Sequence, residues 1–352
     1  MPDISLLDPM VINGVVSKFT TPQDLALLNA VPSSPSNAPD YVTWDVLKGS
    51  RQAASFNVPN SEATVLDNLG RSQESAKLAY VRVKKFFSPT TMHWLRAPGQ
   101  IAQTQAEQYV LRELQDMNQS VDLLQEQALW GALRGQFVYN LPDGATSTVN
   151  YGFPTSHLVS SGTAWTNATP NNIVDDIFAW KRLITTHGRV KPTDAYCSTK
   201  TIQKIIDRWA AGSVLVTNSS ITTNATSAAM GGLMSDRMKD AYYAGGTLPG
   251  FMELNWHGID EVYTDANGNL TYFVGDGSSS NAEVFIGNFT EQRPIEVKFG
   301  KTADDSAPEG FYGKFTKTWK QEDPSARIAL MELHFLPIVT RPEQFIYCSN
   351  VG

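Results

Sequence analysis

Two long stretches near the C-terminal end constrain the fold more than any other feature: residues 311–319 and 327–339, joined by residues 320–326. In the first, Phe311, Phe315 and Trp319 fall on one face with Gly313 and Lys317. In the second, Ala329, Met331, Leu333 and Phe335 share a face, while Glu332 and His334 point the other way. A period of two around the polar segment Lys320-Gln321-Glu322-Asp323-Pro324-Ser325-Ala326 predicts a long antiparallel hairpin with one packed face. No catalytic or cofactor motif accompanies it.

The chain has 352 residues, more than one compact core usually holds, so two domains or one elaborated domain are expected. Charged residues make up 18%, below the usual ~25%. Uncharged polar surface is therefore plentiful, the kind that other protein covers. A net charge of −7 argues against gripping nucleic acid through its phosphates, although it permits lining a container around it. Cys197 and Cys348 lie far apart, each after a tyrosine in an apolar segment, and read as buried reduced thiols. The first ten residues lack a basic start and an apolar core, and no window of ~18 apolar residues occurs. A soluble, cytoplasmic product with no membrane partner is expected.

Residues 1–47 show little periodicity but carry Leu6, Leu7, Val11, Ile12, Phe19, Leu25, Leu27 and Leu28, too apolar for a free tail. An arm that orders by lying on a neighbour is the natural expectation. Two extended runs follow, 53–66 and 75–87, flanking a turn at Asp67-Asn68-Leu69-Gly70. They predict a long hairpin flap, neither clean core nor clean surface, completed by another subunit. From residue 99 to 133 the apolar positions Ala106, Val110, Leu114, Met117, Val121, Leu124 and Ala128 mark one stripe of a helix of ~30 residues. It could form a coiled coil or lie across a sheet, with Gln and Glu keeping its other faces solvated. A helix opening at Asn171 or Asn172, a strand at 194–198 and a helix at 200–211 predict a central α+β region. Residues 213–234, poor in charge, read as a mobile loop. Strands return at 258–264, 270–273, 282–289 and 295–299.

The chain carries no motif for catalysis. His93, His157, His187, His257 and His334 are scattered and form no metal-type pair in sequence. Gly275-Asp276-Gly277-Ser278 precedes no helix and reads as a turn, and Asn267-Gly268 as a hairpin turn rather than part of a calcium loop. The pairs Asp175/Asp176 and Asp304/Asp305 sit at a helix start and in a polar loop, with no apolar pocket to shift a pKa. The eight Trp residues are dispersed and suit core or interface anchoring. Catalytic, cofactor-binding and metal-ligating residues are therefore all expected to be none, and the chain is expected not to be an enzyme.

The order of parts (arm, flap, long helix, α+β region, returning hairpin) resembles the major capsid proteins of tailed bacteriophages, of the Hong Kong 97-type fold, and among them the lambda-like capsid protein E family. Tyr151-Gly152-Phe153-Pro154 followed by Gly162-Thr163-Ala164-Trp165-Thr166 is similar to the family's stretch before its axial-domain helix. Val262-Tyr263-Thr264-Asp265-Ala266-Asn267-Gly268 with Phe273-Val274-Gly275-Asp276-Gly277 resembles its strand–turn–strand. Residues 317–327 with Phe335-Leu336-Pro337-Ile338-Val339 resemble its C-terminal signature. The resemblance runs from Trp44 onward, is weakest in residues 1–41, and lapses at 213–249.

It implies an α+β fold with an N-terminal arm (1–47), an E-loop (48–94), a peripheral domain (95–162 and 290–342) and an axial domain (163–289 and 343–352). It implies a shell subunit of the virion head, assembled in the host cytoplasm from pentamers and hexamers, enclosing double-stranded DNA without sequence-specific binding. A separate scaffolding protein, a portal protein and a decoration protein are the implied partners. An encapsulin-like nanocompartment shell and a soluble hydrolase with a dispersed site are the alternative readings.

Overall fold

The structure is a computed structural model that describes residues 9–22, 24–36, 40–48, 53–54, 56, 70–88, 100–140, 145–161, 165, 171–214, 247–265, 267–278, 281–289, 293–302, 304, 306–308, 310–323 and 325–351. In chain order it places α1 at Pro9–Val16, α2 at Ala26–Ala30, β1 at Ser33–Pro35, β2 at Tyr41–Leu47, β3 at Arg71–Lys77 and β4 at Ala79–Phe87. The long helix α3, Gln100–Leu133, leads to β5 at Gln136–Asn140, β6 at Thr146–Asn150 and β7 at Leu158–Ser160. Then come α4 at Asn171–His187, β8 at Asp194–Cys197, α5 at Thr199–Val214, β9 at Thr247–Phe251 and β10 at Leu254–Gly258. The chain ends with β11 at Val262–Thr264, β12 at Leu270–Tyr272, β13 at Glu283–Gly287, β14 at Ile295–Phe299, β15 at Phe315–Gln321, β16 at Ala326–Val339 and β17 at Phe345–Ser349.

The C-terminal hairpin is present, with Trp319 opposite Ile328 and Gln321 opposite Ala326. Its first strand begins at Phe315 instead of residue 311. The expected single packed face is corrected. β16 carries β15 along one edge and β4, then β14, end to end along the other, and it is buried on both faces. An interior strand covered twice reads as a nearly continuous apolar run, which is what Ile328-Ala329-Leu330-Met331 and Leu336-Pro337-Ile338-Val339 are. Pro337 is tolerated because β15 stops opposite Glu332, leaving no strand on that edge farther along among the described residues.

The expected flap is also redrawn. Run 75–87 is not one strand but breaks at Leu78. β3 pairs with β2 as a two-stranded ribbon, and β4 joins the large sheet over nine residues of β16. The other predicted arm, 53–66, lies almost wholly outside the described residues.

The N-terminal segment corrects the arm expectation, because residues 9–36 pack on their own subunit. Ile12, Val16, Leu25 and Leu27 are buried in the same core as α3. Asn13 completes the open edge of β15: its side-chain amide donates to the Thr316 carbonyl and accepts from the Thr316 N–H, both at 2.8 Å. β1 then extends the sheet in parallel beside β14.

α3 follows the predicted stripe, with Val110, Leu114, Met117, Val121 and Ala128 buried. It lies across the sheet formed by β1, β14, β16, β15 and β4. At 34 residues it spans about 50 Å. Its other faces are not all solvated, since Asn118, Asp122, Gln125 and Glu126 are buried too. α2 covers the Glu126 side of the helix while α1 packs against β15, so a helix with a modest polar load becomes the centre of the core.

The second sheet has the order β7-β17-β13-β8-β10-β9. Its alternation serves two cores. Ala195, Cys197, Val284, Ile286, Ile346 and Cys348 face a core with residues of α4 and α5. The intervening Tyr196, Phe285 and Tyr347 face the α3 side, where Trp130 meets Phe285 at 4.9 Å and Tyr196 at 5.7 Å between ring centres. β9 and β10 were not anticipated, and predicted strand 258–264 is instead the end of β10 and a separate β11. Helix α5 runs past 211 to Val214, and the rest of the expected loop lies outside the described residues.

Candidate subunit interface

The spine helix fixes both sheets through charged side chains. Lys85 of β4 reaches Glu113 of α3 at 2.6 Å and also pairs with Asp116. Lys314 donates to Asn118 at 2.8 Å and pairs with buried Asp122. Burial raises the Asp122 carboxyl pKa, and the Lys314 ammonium only partly offsets this. Near the end of α3, Arg134 grips Glu283 of β13 with two bonds, 3.1 and 2.6 Å, and Tyr347 donates to the same carboxylate at 2.7 Å. A forked guanidinium–carboxylate pair fixes orientation as well as distance, so the second sheet is held in one pose on the spine.

The large sheet has an outer face turned away from α3. Directly opposed residues on neighbouring antiparallel strands point to the same side. The register therefore stacks rows across β4, β16 and β15: Phe86–Ile328–Trp319, then Lys84–Leu330–Lys317, then Arg82–Glu332–Phe315, then Tyr80–His334. Phe86 is 55% exposed and Trp319 40%, whereas Ile328 between them is buried. Lys84 sits over the Phe86 ring at 5.2 Å and Lys317 over Trp319 at 5.8 Å. Deeper in the face, Tyr80 donates to Glu332 at 3.0 Å, and its own hydroxyl pKa is pushed up to about 12 by burial and by that carboxylate. An aromatic row with basic flanks is suited to be covered by protein. Sequence reading missed it, because the register of β4 on β16 joins residues about 240 apart. The only local signal is a lysine two residues before an aromatic in both Lys84–Phe86 and Lys317–Trp319.

The residues weighed for chemistry fall elsewhere. His157 and His187, thirty residues apart, are brought together: Nδ1 of His157 donates to the Phe345 carbonyl at 2.7 Å, so its Nε2 accepts from Nδ1 of His187 at 2.9 Å. Burial lowers the His157 pKa. His257 pairs with Asp194 at 3.2 Å, His334 packs at a tilt against the Tyr80 ring, and His93 lies outside the described residues. Cys197 and Cys348 are buried free thiols, the latter pushed up to about 12 by burial, which suits packing rather than reactivity. Asp176 accepts from the Trp165 indole at 2.9 Å, and Asp304 pairs with Lys317. Gly275 and Gly277 form a turn, with φ +34° and +71°. Asn267 and Gly268 belong to the β11–β12 hairpin, where Asp265 accepts from the backbone of Asn267 and Asn269. Among the described residues no group of three or more His, Cys, Asp or Glu is placed to hold a metal, and no helix is long and apolar enough to cross a membrane.

A long helix laid across a sheet that ends in a returning hairpin, with a second sheet and two helices beside it, defines the Hong Kong 97-type class of shell-forming proteins. The sequence model for phage major capsid protein E matches residues 11–348, and the chain belongs to that family. Its fold is similar to that of the proposed capsid protein of a prophage of E. coli CFT073, at 11% identity and a TM-score of 0.66, over 97% of this chain and 99% of that one. A phage-related protein of Bordetella bronchiseptica aligns at 12% identity and a TM-score of 0.51, over 98% of both chains. An encapsulin from Synechococcus elongatus aligns at 12% identity and a TM-score of 0.49, over 95% of this chain and 92% of that one. No curated protein sequence matches the chain. The family is one of structural capsid proteins, which assemble with copies of themselves into the virion shell.

Proposed function

We propose that this chain is the major capsid subunit of a tailed bacteriophage, closing as pentamers and hexamers into an icosahedral head around double-stranded DNA. The observation that carries this reading is the family match across both sheets and the spine helix. The part is structural, with no reaction assigned to it. In this reading, α3 with the β16 sheet is the peripheral domain, covering residues 95–157 and 290–342. The six-stranded sheet with α4 and α5 is the axial domain, which then takes β7 as well. An N-terminal arm (1–47) and an E-loop (48–94) complete the reading, and the exposed row Phe86–Trp319 is surface that neighbouring subunits cover.

A scaffolding protein, a portal and a decoration protein are the expected further partners, and the host cytoplasm the place of assembly. The acidic balance of the chain suits a wall that encloses DNA without gripping it. Purified particles should protect double-stranded DNA from nuclease when taken from phage-producing cells. Particles filled with a cargo protein and devoid of DNA would instead favour the encapsulin-like reading.

A further inference from the structure

We propose that the acidic apex of the β15–β16 hairpin of one subunit seats in a basic groove at the far end of β16 in a second copy. This rests on the shell-forming reading above and names a contact that such a shell would use. The groove, about 490 Å³, lies between β2 and the end of the β14–β16 pair. Four cations line it with two anions. Arg71 is paired with Asp45, and Lys298 with Glu296 at 2.9 Å. Arg293 and Arg341 have no ion-pair partner among the described residues, so the described lining carries two more cations than anions, in a chain of net charge −7.

One wall residue of the groove also carries an unpaired donor. Trp44, in its wall, is 5% exposed, and its indole N–H is buried with no hydrogen-bond partner among the described residues. Such stranded donors are uncommon in a finished structure.

The complementary group stands at the other end of the same strand. The hairpin apex presents Glu322 and Asp323, both exposed and without an ion-pair partner among the described residues. The cations Lys320 and Arg327 oppose each other one step behind it. β16 has 14 residues and so separates apex from groove by about 45 Å. One subunit cannot close this contact on itself. Repeated between copies it is heterologous and head to tail, the kind of contact that makes rings when the rotation closes. Two carboxylates meet two arginines, whose forked donors fit carboxylates. The net negative charge disfavours a nucleic-acid backbone as the occupant.

The test is charge exchange in the full chain. Arg293→Glu with Arg341→Glu, and separately Glu322→Lys with Asp323→Lys, should each raise the concentration needed for shell assembly at least about tenfold. The fourfold variant should recover to within about threefold of wild type. Circular dichroism checks folding, and if the reversals misfold, Arg293→Gln with Arg341→Gln should still show a clear rise. Normal assembly by either pair, or no recovery in the fourfold variant, overturns the contact. So does a groove variant that assembles normally but loses affinity for a double-stranded oligonucleotide. A wild-type chain that forms no shells defeats the functional reading itself, and the contact with it.

Discussion

Glu126 of the spine helix caps the short helix α2 from across the chain: its Oε2 accepts the Leu28 N–H at 2.7 Å. Oε1 takes the Leu27 N–H at 3.1 Å and the Trp130 indole at 2.9 Å. This carboxylate holds the N-terminal segment on the spine with no ion-pair partner among the described residues.

Burial pushes the Glu126 carboxyl up to about 7 despite those three donors, and Glu261 adds to the rise. A folded-state pKa above the unfolded value means stability that is full below about 4.5 and lost as pH rises through 7. Glu126→Gln removes the titration. Relative to wild type the variant should gain on the order of 3 kcal/mol between pH 4.5 and 8. Urea unfolding across that range checks it, and parallel pH profiles for the two proteins would refute it.

The His157–His187 contact carries the opposite sign. Burial depresses the His157 pKa, so its contribution is full above the unfolded value near 6.5 and is lost as pH falls below it. Protonation would also set two N–H groups of the pair against each other. Glu343 favours protonation, but less than burial opposes it. His157→Asn should flatten the acid limb of the stability curve below pH 6.5, measured by the same unfolding series. An acid limb unchanged from wild type would contradict this.

Gly275 is required by its conformation and its neighbours. Its φ is +34°, and a Cβ there would stand 2.1 Å from the Asn281 carbonyl oxygen, a backbone atom that cannot swing away. Gly275→Ala should cost about 2 kcal/mol or more, read by chemical unfolding. A cost below about 0.5 kcal/mol would show that the turn relaxes freely.

Phe86 and Trp319 flank buried Ile328 while remaining exposed themselves. Phe86→Ser with Trp319→Ser should leave subunit stability within about 1 kcal/mol yet impair assembly. Sedimentation of the variant against wild type checks both halves. Normal shells from it would remove this row from the interface.

What could be read in advance follows how local each signal is. The α3 stripe and the β15–β16 hairpin rest on local spacings, and both are present, although the hairpin's first strand starts only at Phe315 and its second is covered on both faces. The N-terminal segment was misjudged because its partners are distant: Leu28 meets Glu126 and Asn13 meets Thr316, and nothing in residues 9–36 announces either. The polar side of α3 misled for the same reason, since Asp122 and Glu126 look solvated until Lys314 and the N-terminal segment arrive. The candidate interface was hidden most deeply. Its central row exists only once β4 and β15 are registered on the two edges of β16.

Negative-stain electron microscopy of the purified chain, beside sedimentation velocity over a range of concentrations, tests the central claim most directly. A capsid subunit gives closed shells, or rings of five and six copies on the way to them. A homogeneous 38.7-kDa monomer at every concentration, with no particles on the grid, would contradict it.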